Sequence, residues 1–265
     1  MDILYGLHPV EEALRAGSRQ FDHVSVAKDR NDQRLLRLVD DCRDAGIRIC
    51  FEPRDHLTKM AKSAAHQGVV AVVRAKTFLE LEDLLKPQPA QRLLLALDGV
   101  EDPQNLGALL RTAEGAGVDG VVLTERRSAP LGPVAIKASA GAAEHVKIAR
   151  VVNLVRAIEQ IKKENVWCVG LDERGSIDYD DFDFTGSCLL VLGREGAGLH
   201  DLVRKSCDHL LRIPMAGKVA SLNVSAAGAV VLYEAARQRR SRAQNGLHAH
   251  TSPQTPVKKQ KGLGS

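Results

Sequence analysis

A short apolar strand leads through a glycine loop into a helix over the sequence IPMAGKVASLNVS, which runs from Ile213 to Ser225. The start of that helix is rich in small hydroxyl and amide side chains, since Ser221, Asn223 and Ser225 fall on it. A helix start of this kind leaves backbone N–H groups and polar side chains directed at one spot, which suits a polar ligand. The stretch is therefore the first candidate for an active site.

Apolar runs of strand length precede this stretch and alternate with helical segments. The runs cover 93–97, 120–123, 166–170, 189–192 and 210–213, and the best-formed helical patterns cover 153–163 and 225–237. Strands that are apolar on both faces, with helices between them, are typical of a parallel sheet covered on both sides. The sequence thus predicts an α/β domain over residues 93–240.

A smaller α/β module is predicted over residues 1–75, where helical patterns at 10–16 and 34–45 alternate with strand patterns at 23–27, 47–51 and 69–73. Residues 76–92 are predicted to form a linker, because Pro87 and Pro89 cannot continue a helix and favour extended backbone. Residues 241–265 lack large apolar side chains almost entirely and are predicted to form a disordered basic tail.

Composition places the chain among globular proteins that act outside membranes. It has 265 residues, of which 44% are hydrophobic, and its apolar runs are far shorter than the roughly 18 residues of a membrane span. The N-terminus shows no basic region followed by an apolar stretch, so we expect a cytoplasmic protein. The five cysteines have no metal-site or C-x-x-C spacing, which favours buried free thiols over zinc or a redox pair.

Charge alone does not identify a nucleic-acid partner. The formal net charge is +4, but seven of the 37 Lys and Arg residues and none of the 33 acidic residues lie from Arg237 onward. The rest of the chain carries 30 basic and 33 acidic side chains and is therefore close to neutral. The basic character belongs to the tail, which could attract RNA nonspecifically or simply keep the protein soluble.

A second strand-to-helix junction carries Asn105 and Arg111. The preceding strand ends near Leu97, Asp102 is a good helix N-cap, and Pro103 suits the first helical position. In open α/β sheets, ligands lie at the carboxyl ends of the strands, where side chains from this helix start can reach. This segment alone does not establish a ligand site. Asn105 could equally be an ordinary residue of the first helical turn, and Arg111 an ordinary solvated arginine.

A third junction, Gly193 to Gly198, has three glycines in six residues directly after an apolar strand. Glycines allow positive φ angles and a close approach of the backbone to a ligand. The G-x-G-x-x-G spacing of dinucleotide sites is absent, so an ordinary Rossmann site is disfavoured. Glu195 is either a helix-start carboxylate that favours the helix dipole or a catalytic group.

Together these three segments resemble the motifs of the SpoU family, also called TrmH-type RNA ribose methyltransferases. The matching residues are Asn105-x-Gly107 with Arg111, then Gly193-x-Glu195-Gly196, then Ile213-Pro214-Met215 followed by Ser221-Leu222-Asn223-Val224-Ser225. The N-terminal Tyr5-Gly6-x-His8-Pro9-Val10 and His66-Gln67-Gly68 resemble the accessory module of the ribosomal-RNA branch of the family. The resemblance spans residues 1–240.

The resemblance implies an enzyme that methylates the ribose 2′-hydroxyl of a guanosine in large-subunit (23S) ribosomal RNA. It implies a SPOUT-type domain with a deep trefoil knot, a ribosomal-protein-like RNA-binding module, and a homodimer whose active site is completed across the interface. S-adenosylmethionine would be the methyl donor, with no metal. Its site would be formed by backbone groups near Gly193, Ile213 and Leu222, with Leu123 as an apolar wall.

Residue roles follow from the same resemblance. Arg111 would act with an RNA phosphate to activate the hydroxyl, while Asn105, Glu195, Ser221 and Asn223 hold the arginine and ribose in register. Because the pKa of an arginine exceeds about 12, electrostatic positioning is a more reasonable role for it than proton removal. Five basic residues of the module are candidates for phosphate contacts: Arg15, Arg19, Lys28, Arg30 and Arg34.

Three other functions compete with this interpretation. A tRNA ribose methyltransferase would share the motifs but usually lacks the N-terminal module. A non-catalytic RNA-binding or ribosome assembly factor could keep the fold and the donor pocket, although it has no use for the set Asn105, Arg111, Glu195 and Asn223. A nicotinamide-dependent enzyme is disfavoured by the missing G-x-G-x-x-G. With aromatic residues at 3%, base stacking cannot dominate RNA binding in any of these cases.

Overall fold

The computed structural model describes residues 1–86 and 91–249, with side chains to residue 244. The N-terminal part contains one four-stranded sheet with the spatial order β1-β4-β2-β3. Strands β2 and β3 are parallel and the other neighbours are antiparallel. Its elements in chain order are β1 (Asp2–Tyr5), α1 (Leu7–Ala16), β2 (Phe21–Ala27), α2 (Gln33–Asp44), β3 (Ile49–Glu52), α3 (Arg54–Ala61) and β4 (Val69–Val73).

Local sequence explains most of these elements. Helix α1 ends at Gly17, which adopts a left-handed φ of 60° that suits glycine. Helix α2 begins after Asp32, whose side chain accepts a hydrogen bond from the backbone N–H of Leu35. Strand β1 was not predicted, because four residues carry little pattern. It forms through pairing with β4, in which Asp2 lies opposite Val73.

The C-terminal part contains a seven-stranded parallel sheet with the spatial order β7-β6-β5-β10-β8-β11-β9. The strands are β5 (Leu93–Leu97), β6 (Gly120–Thr124), β7 (Ile148–Val151), β8 (Trp167–Leu171), β9 (Ile177–Asp178), β10 (Cys188–Leu192) and β11 (His209–Arg212). The helices are α4 (Leu81–Leu85), α5 (Pro103–Gly115), α6 (Pro133–Ala138), α7 (Leu154–Lys162), α8 (Asp201–Ser206) and α9 (Val224–Ala249).

Alternate residues of the central strands point to two separate apolar layers. Leu93, Leu95 and Leu97 belong to the cluster that includes α5 and α9, whereas Leu94 and Ala96 belong to the cluster of α7 and α8. All five side chains are buried. The predicted α/β fold with a parallel sheet and a small N-terminal α/β module is therefore confirmed, and the trefoil knot stays a prediction.

The segment 76–86 does not stand apart from the C-terminal sheet. Helix α4 buries Leu81, Leu84 and Leu85 against it, and a Cβ on Gly120 would lie only 2.2 Å from a methyl carbon of Leu84. The backbone of Leu79 also bridges to Ala149 of β7. Pro87 and Pro89, which led to the linker prediction, lie outside the described residues.

Contacts between the N-terminal module and the C-terminal domain show that one residue predicted to contact RNA, Arg19, does not face solvent. Arg19 is not on the surface, since its side chain is fully buried and its Nε donates to Glu144 Oε2 at 2.7 Å. Its Nη1 donates to Asp2 Oδ2, also at 2.7 Å. Lys137 adds a second tie, because its Nζ donates to the carbonyl of Ala65 at 2.6 Å. These contacts fix the N-terminal module against the loop that follows α6.

Helix α9 continues to Ala249, so its last nine residues lie in the segment 241–265 that was predicted to be disordered. That part of the tail prediction is corrected, because the helix is anchored on both sides of residue 241. Gln238 Nε2 donates to the carbonyl of Phe182 at 3.0 Å, and Arg242 Nη1 donates to Thr185 Oγ1 at 2.6 Å. Residues 250–265 lie outside the described part of the chain. Across the described segments, no helix combines the length and apolarity needed to cross a membrane.

Candidate active site

Three side chains from distant parts of the sequence form a closed hydrogen-bond network. Asn105 Nδ2 donates to Glu195 Oε2 at 3.2 Å, and Asn223 Nδ2 donates to Glu195 Oε1 at 3.1 Å and to Asn105 Oδ1 at 3.0 Å. Each member therefore contacts the other two. Both carboxylate oxygens of Glu195 accept an amide N–H, which fixes the orientation of the carboxylate and of both amides.

Helix starts position the two asparagines. Asp102 caps α5 by accepting from the backbone N–H groups of Gln104 and Asn105 at 3.2 Å each, and Pro103 occupies the first turn. Asn223 precedes α9, and its Oδ1 accepts from the backbone N–H of Ser225 at 2.9 Å. One end of the Asn223 amide thus holds the helix start while the other end joins the network.

Glu195 lies in a glycine loop that closes on itself. The N–H of Arg194 donates to the carbonyl of Gly198 at 3.0 Å, and the N–H of Gly198 donates back at the same distance. A Cβ at Gly193 would lie 2.3 Å from the carbonyl carbon of Gly198, so only glycine allows this closure. Gly196 and Gly198 have φ angles of 72° and 65°. All three glycines of the loop line the adjoining cleft.

The glycine of the Asn105-x-Gly107 motif has a packing role. A Cβ on Gly107 would lie 2.3 Å from the carbonyl oxygen of Ala135 and 2.5 Å from the Cβ of Ala138. Helices α5 and α6 therefore cross at a separation that only glycine permits. This close packing holds the α5 start, and with it Asn105, in place.

A cleft opens beside the glycine loop at the carboxyl ends of three neighbouring strands. It is lined by Gly193 after β10, by Ile213 and Met215 after β11, and by Ser221 and Leu222 before α9. The polar part of its wall includes Asp172, Glu173 and Arg174 after β8. Gly193, Ile213 and Leu222 therefore share one cleft, as the proposed donor site requires, and Ser221 lies in its wall.

Leu123 does not line this cleft, which corrects its predicted place in the donor site. It lies on β6, which β5 separates from β10, and it pairs in register with Leu97 and Arg150. Its side chain is 1% exposed and belongs to the apolar core. The order of strands in the sheet is a tertiary property, so the apolar run at 120–123 could not reveal it.

Arg111 does not join the network within a single chain. It is exposed on α5, roughly 9 Å along the axis from Asn105 at about 1.5 Å rise per residue. It precedes Gly115 by one helical turn, and Gly115 lies beneath the hydroxyl of Tyr233 on α9. Arg111 therefore lies on the side of α5 that borders α9. The structure brings together Asn105, Glu195 and Asn223, with Ser221 at the adjoining cleft, but leaves Arg111 apart from them.

Two buried carboxylates at strand ends were missed by the sequence analysis. Asp98, directly after β5, accepts from the backbone N–H of His200 at 2.7 Å and lies 2.9 Å from His200 Nδ1. Asp172, directly after β8, accepts from the backbone N–H and the Nε of Arg174 at 3.0 Å each. An acidic residue immediately after a buried strand was the available signal, and both positions carry it.

All five cysteines are free thiols. Cys42, Cys168 and Cys188 are buried as predicted, whereas Cys50 and Cys207 are only half-buried. Burial raises the pKa of the Cys42 and Cys188 thiols to about 11 each. In the described part of the chain, no group of three or more His, Cys, Asp or Glu side chains is arranged to hold a metal ion.

Comparisons with known proteins match this architecture. The SpoU rRNA Methylase family model matches residues 92–233, and the model for RNA 2′-O ribose methyltransferase substrate binding matches residues 3–79. The 23S rRNA (guanosine-2′-O-)-methyltransferase RlmB of Escherichia coli strain K12 is 41% identical over 240 residues, covering 90% of this chain and 99% of the relative. The enzyme of the same name from Vibrio cholerae is 42% identical over 241 residues, covering 90% and 97%.

Among solved structures, the SpoU methyltransferase AviRb from Streptomyces viridochromogenes in complex with the cofactor AdoMet superimposes with a TM-score of 0.78. Its sequence identity is 29%, and the match covers 90% of each chain. Both predicted parts of the present chain therefore fall inside the compared region.

Proposed function

Because the chain belongs to the SpoU rRNA methylase family, we propose that it transfers a methyl group from S-adenosylmethionine to the ribose 2′-hydroxyl of a guanosine in 23S ribosomal RNA. The observation that carries this proposal is the network of Asn105, Glu195 and Asn223 at the edge of a glycine-walled cleft. If this position only needed filling, apolar residues would serve better than a network of polar side chains. Its position suits a polar substrate that meets a second ligand in the cleft.

The cleft has the chemistry that a methyl donor of this kind needs. Leu171, Ile213 and Leu222 provide apolar walls for an adenine ring, and the closed loop from Gly193 to Gly198 offers backbone N–H and C=O groups at close range. Asp172, whose side chain is 1% exposed, orients Arg174 in the cleft wall by accepting from its backbone N–H and its Nε at 3.0 Å each. S-adenosylmethionine, when bound, supplies a methyl group already activated by its sulfonium centre.

The protein must then align the hydroxyl, whose oxygen takes the methyl group in place of its proton, and that proton leaves to water. The two amides and the Glu195 carboxylate present a rigid set of donors and acceptors to a ribose, because each is oriented by the other two. Asn105 and Asn223 hold the carboxylate, and Glu195 accepts a hydrogen bond from the ribose. Ser221 borders the same cleft and contributes a further hydroxyl.

A second copy of the chain would supply Arg111. We propose a homodimer in which the Arg111 guanidinium of one subunit contacts the RNA phosphate at the partner's site and stabilises the developing negative charge. The support is the exposed position of Arg111 beside α9, together with exposed apolar side chains on that helix, Val230 at 36% and Tyr233 at 51%. Apolar side chains on a helix at the surface favour a protein interface.

The N-terminal module would bind the RNA while the C-terminal domain acts. Arg15, Arg30 and Arg34 remain at least partly exposed, although each contacts an acidic neighbour, and Lys28 is exposed. Shape and backbone contacts would therefore contribute more than a dense basic patch. The module also distinguishes this proposal from the tRNA alternative, because residues 3–79 match the substrate-binding model. An rRNA substrate would place the enzyme in the cytoplasm.

Methylation assays with two classes of RNA test the proposal. The protein is incubated with labelled S-adenosylmethionine and either deproteinised 23S rRNA or bulk tRNA, and the 2′-O-methyl position is then mapped. We expect a single guanosine of 23S rRNA to be labelled. Label confined to tRNA would establish the alternative substrate, and donor binding without transfer to either RNA would favour a non-catalytic factor.

A further inference from the structure

A second cavity borders the donor cleft and has not been assigned a role. Its volume is about 330 Å³, at the lower end of the roughly 300–1,000 Å³ range of small-molecule sites. It shares Glu195 with the donor cleft and is also lined by Asn105, so two members of the network form part of its wall. A nucleotide whose ribose contacts the network would therefore have its base beside or inside this cavity.

Arg194 crosses into the cavity over a glycine. Gly99 has a φ of 78°, and a Cβ there would lie 2.7 Å from Cγ of Arg194 and 3.0 Å from its Cδ. The Nε of Arg194 is buried, and it has no hydrogen-bond partner among the described residues. No hydrogen bond or ion pair from the rest of its guanidinium is found in that part of the chain either. A buried N–H without a partner is unfavourable, so the site is suited to an acceptor brought by a ligand.

The remaining walls carry negative charge. Glu101 and Asp102 line the cavity, and the Asp102 carboxylate already caps α5, whereas Glu101 is exposed. Glu195 adds a third carboxylate. Three carboxylates beside one guanidinium disfavour a phosphate, because the ligand would carry the same sign as most of the wall. A neutral ring with acceptors on one edge and donors on the next fits this arrangement better.

Guanine has that pattern, since O6 and N7 accept hydrogen bonds while the N2 amino group donates. We propose that the cavity binds the base of the target guanosine, with Arg194 donating to O6 and N7 and Glu101 accepting from the N2 amino group. This proposal rests on the proposed function, because it assumes that a guanosine ribose lies at the network. Adenine would turn an amino group toward the Arg194 guanidinium, so the cavity selects between the purines.

The test uses one 23S rRNA fragment that contains the mapped guanosine and two versions with altered bases. Inosine lacks the N2 amino group, and 2-aminopurine riboside lacks O6. For the wild-type protein we expect kcat/KM to fall about tenfold or more with each analogue. In Arg194→Gln, kcat/KM for the 2-aminopurine RNA should lie within about threefold of kcat/KM for the guanosine RNA. In Glu101→Ala, kcat/KM for the inosine RNA should lie within the same range of the guanosine value.

The ratio of kcat/KM for guanosine to kcat/KM for an analogue is measured on one enzyme at a time. A general loss of activity or of folded protein cancels in that ratio, whereas a loss of base recognition does not. Lys163→Gln is the matched control, because Lys163 is exposed and precedes the amino end of β8, whereas the cavity lies at the carboxyl ends of the strands. It should keep both wild-type ratios. If both cavity variants also keep the wild-type ratios, the base-binding role is overturned while the proposed function stands. A wild-type protein that methylates no 23S guanosine overturns the proposed function itself.

Discussion

Arg19 Nε lies 2.7 Å from Glu144 Oε2, although the two residues are 125 positions apart, and neither side chain is exposed to solvent. The pair joins the N-terminal module to the C-terminal domain in the interior of the protein. Taking two charges out of water is unfavourable, and the remaining hydrogen bonds of Arg19 to Asp2 and to the carbonyl of Arg74 offset part of that penalty. Together with the contact from Lys137 to the carbonyl of Ala65, this buried pair holds the module in its orientation.

Removal of the Arg19 cation should destabilise the protein strongly. We expect Arg19→Met to lower the free energy of unfolding by about 3–5 kcal/mol, because Glu144 would remain buried without its partner. Denaturant unfolding measures the change, and the double variant Arg19→Met with Glu144→Leu should recover most of the loss. Arg43→Met, which removes an exposed ion pair with Asp40 at 3.2 Å, should change stability by less than about 1 kcal/mol. An equal loss of unfolding free energy in Arg19→Met and Arg43→Met would contradict a special role for the buried pair.

Asn223→Asp should separate the two roles of this side chain. The new carboxylate can still accept from the N–H of Ser225 and cap α9, but it faces Glu195 as a like charge and cannot donate to it. We expect kcat/KM for methyl transfer to fall about 100-fold or more with little loss of stability. Asn153→Asp is the matched control, since Asn153 caps α7 in the same manner and does not line the cleft. Unchanged turnover in Asn223→Asp would mean that the network is structural only.

The closed glycine loop should tolerate no side chain at its first position. Because a Cβ on Gly193 would lie 2.3 Å from backbone, Gly193→Ala should force the loop apart and weaken S-adenosylmethionine binding about tenfold or more. Isothermal titration calorimetry measures this affinity. Gly186→Ala is the control, as no atom lies within 4 Å of a Cβ built there. Equal donor affinity in Gly193→Ala and wild type would place the donor elsewhere.

Arg111→Ala should abolish methyl transfer while leaving donor binding largely intact, since Arg111 does not line the cleft. Mixing this variant with Glu195→Gln then tests whether the arginine acts across a dimer. If it does, mixed dimers hold one site with both residues intact, and random mixing should restore about a quarter of wild-type activity. Arg156→Ala, an exposed arginine on α7, serves as the control. No recovery on mixing, with each variant inactive alone, would place Arg111 and Glu195 in the same subunit's site.

His66 should make stability depend on pH. Burial lowers the pKa of its imidazole, and the nearby charges of Arg54 and Lys137 lower it further. Its Nδ1 accepts from the N–H of Gly68 at 3.0 Å, which requires that nitrogen to be unprotonated. The unfolded chain binds a proton near the ordinary value of 6.5 and the folded protein only at lower pH, so stability falls as the pH drops below 6.5.

The contribution of one such group is at most about 1.4 kcal/mol per pH unit. His66→Asn keeps an acceptor for Gly68 but cannot titrate, so the loss of unfolding free energy between pH 6.5 and 5 should be smaller than in wild type. His56→Asn, at an exposed position of α3, should keep the wild-type slope. Identical slopes for wild type and His66→Asn would refute this assignment.

Local sequence determined the central strands and the polar residues at their carboxyl ends. The run at 93–97 matches β5, and Asn105, Glu195 and Asn223 were all identified as candidates, because a strand followed by a glycine or capping residue and a helix start is a local pattern. Assignment to the SpoU family is likewise confirmed. Strands β1, β7 and β9 were missed; each is short and forms by pairing with a neighbouring strand.

Only the tertiary structure decided which of these residues meet. Strand order placed Leu123 in the core, two strands from the cleft where it had been expected. Contact between the N-terminal module and the C-terminal domain buried Arg19 against Glu144, although Arg19 had been expected to contact RNA. The sequence by itself therefore determined which side chains stand at helix starts and strand ends. The side-by-side order of the strands, in which residues as far apart in sequence as Leu93 and Cys188 are paired, determined which of those side chains share a site.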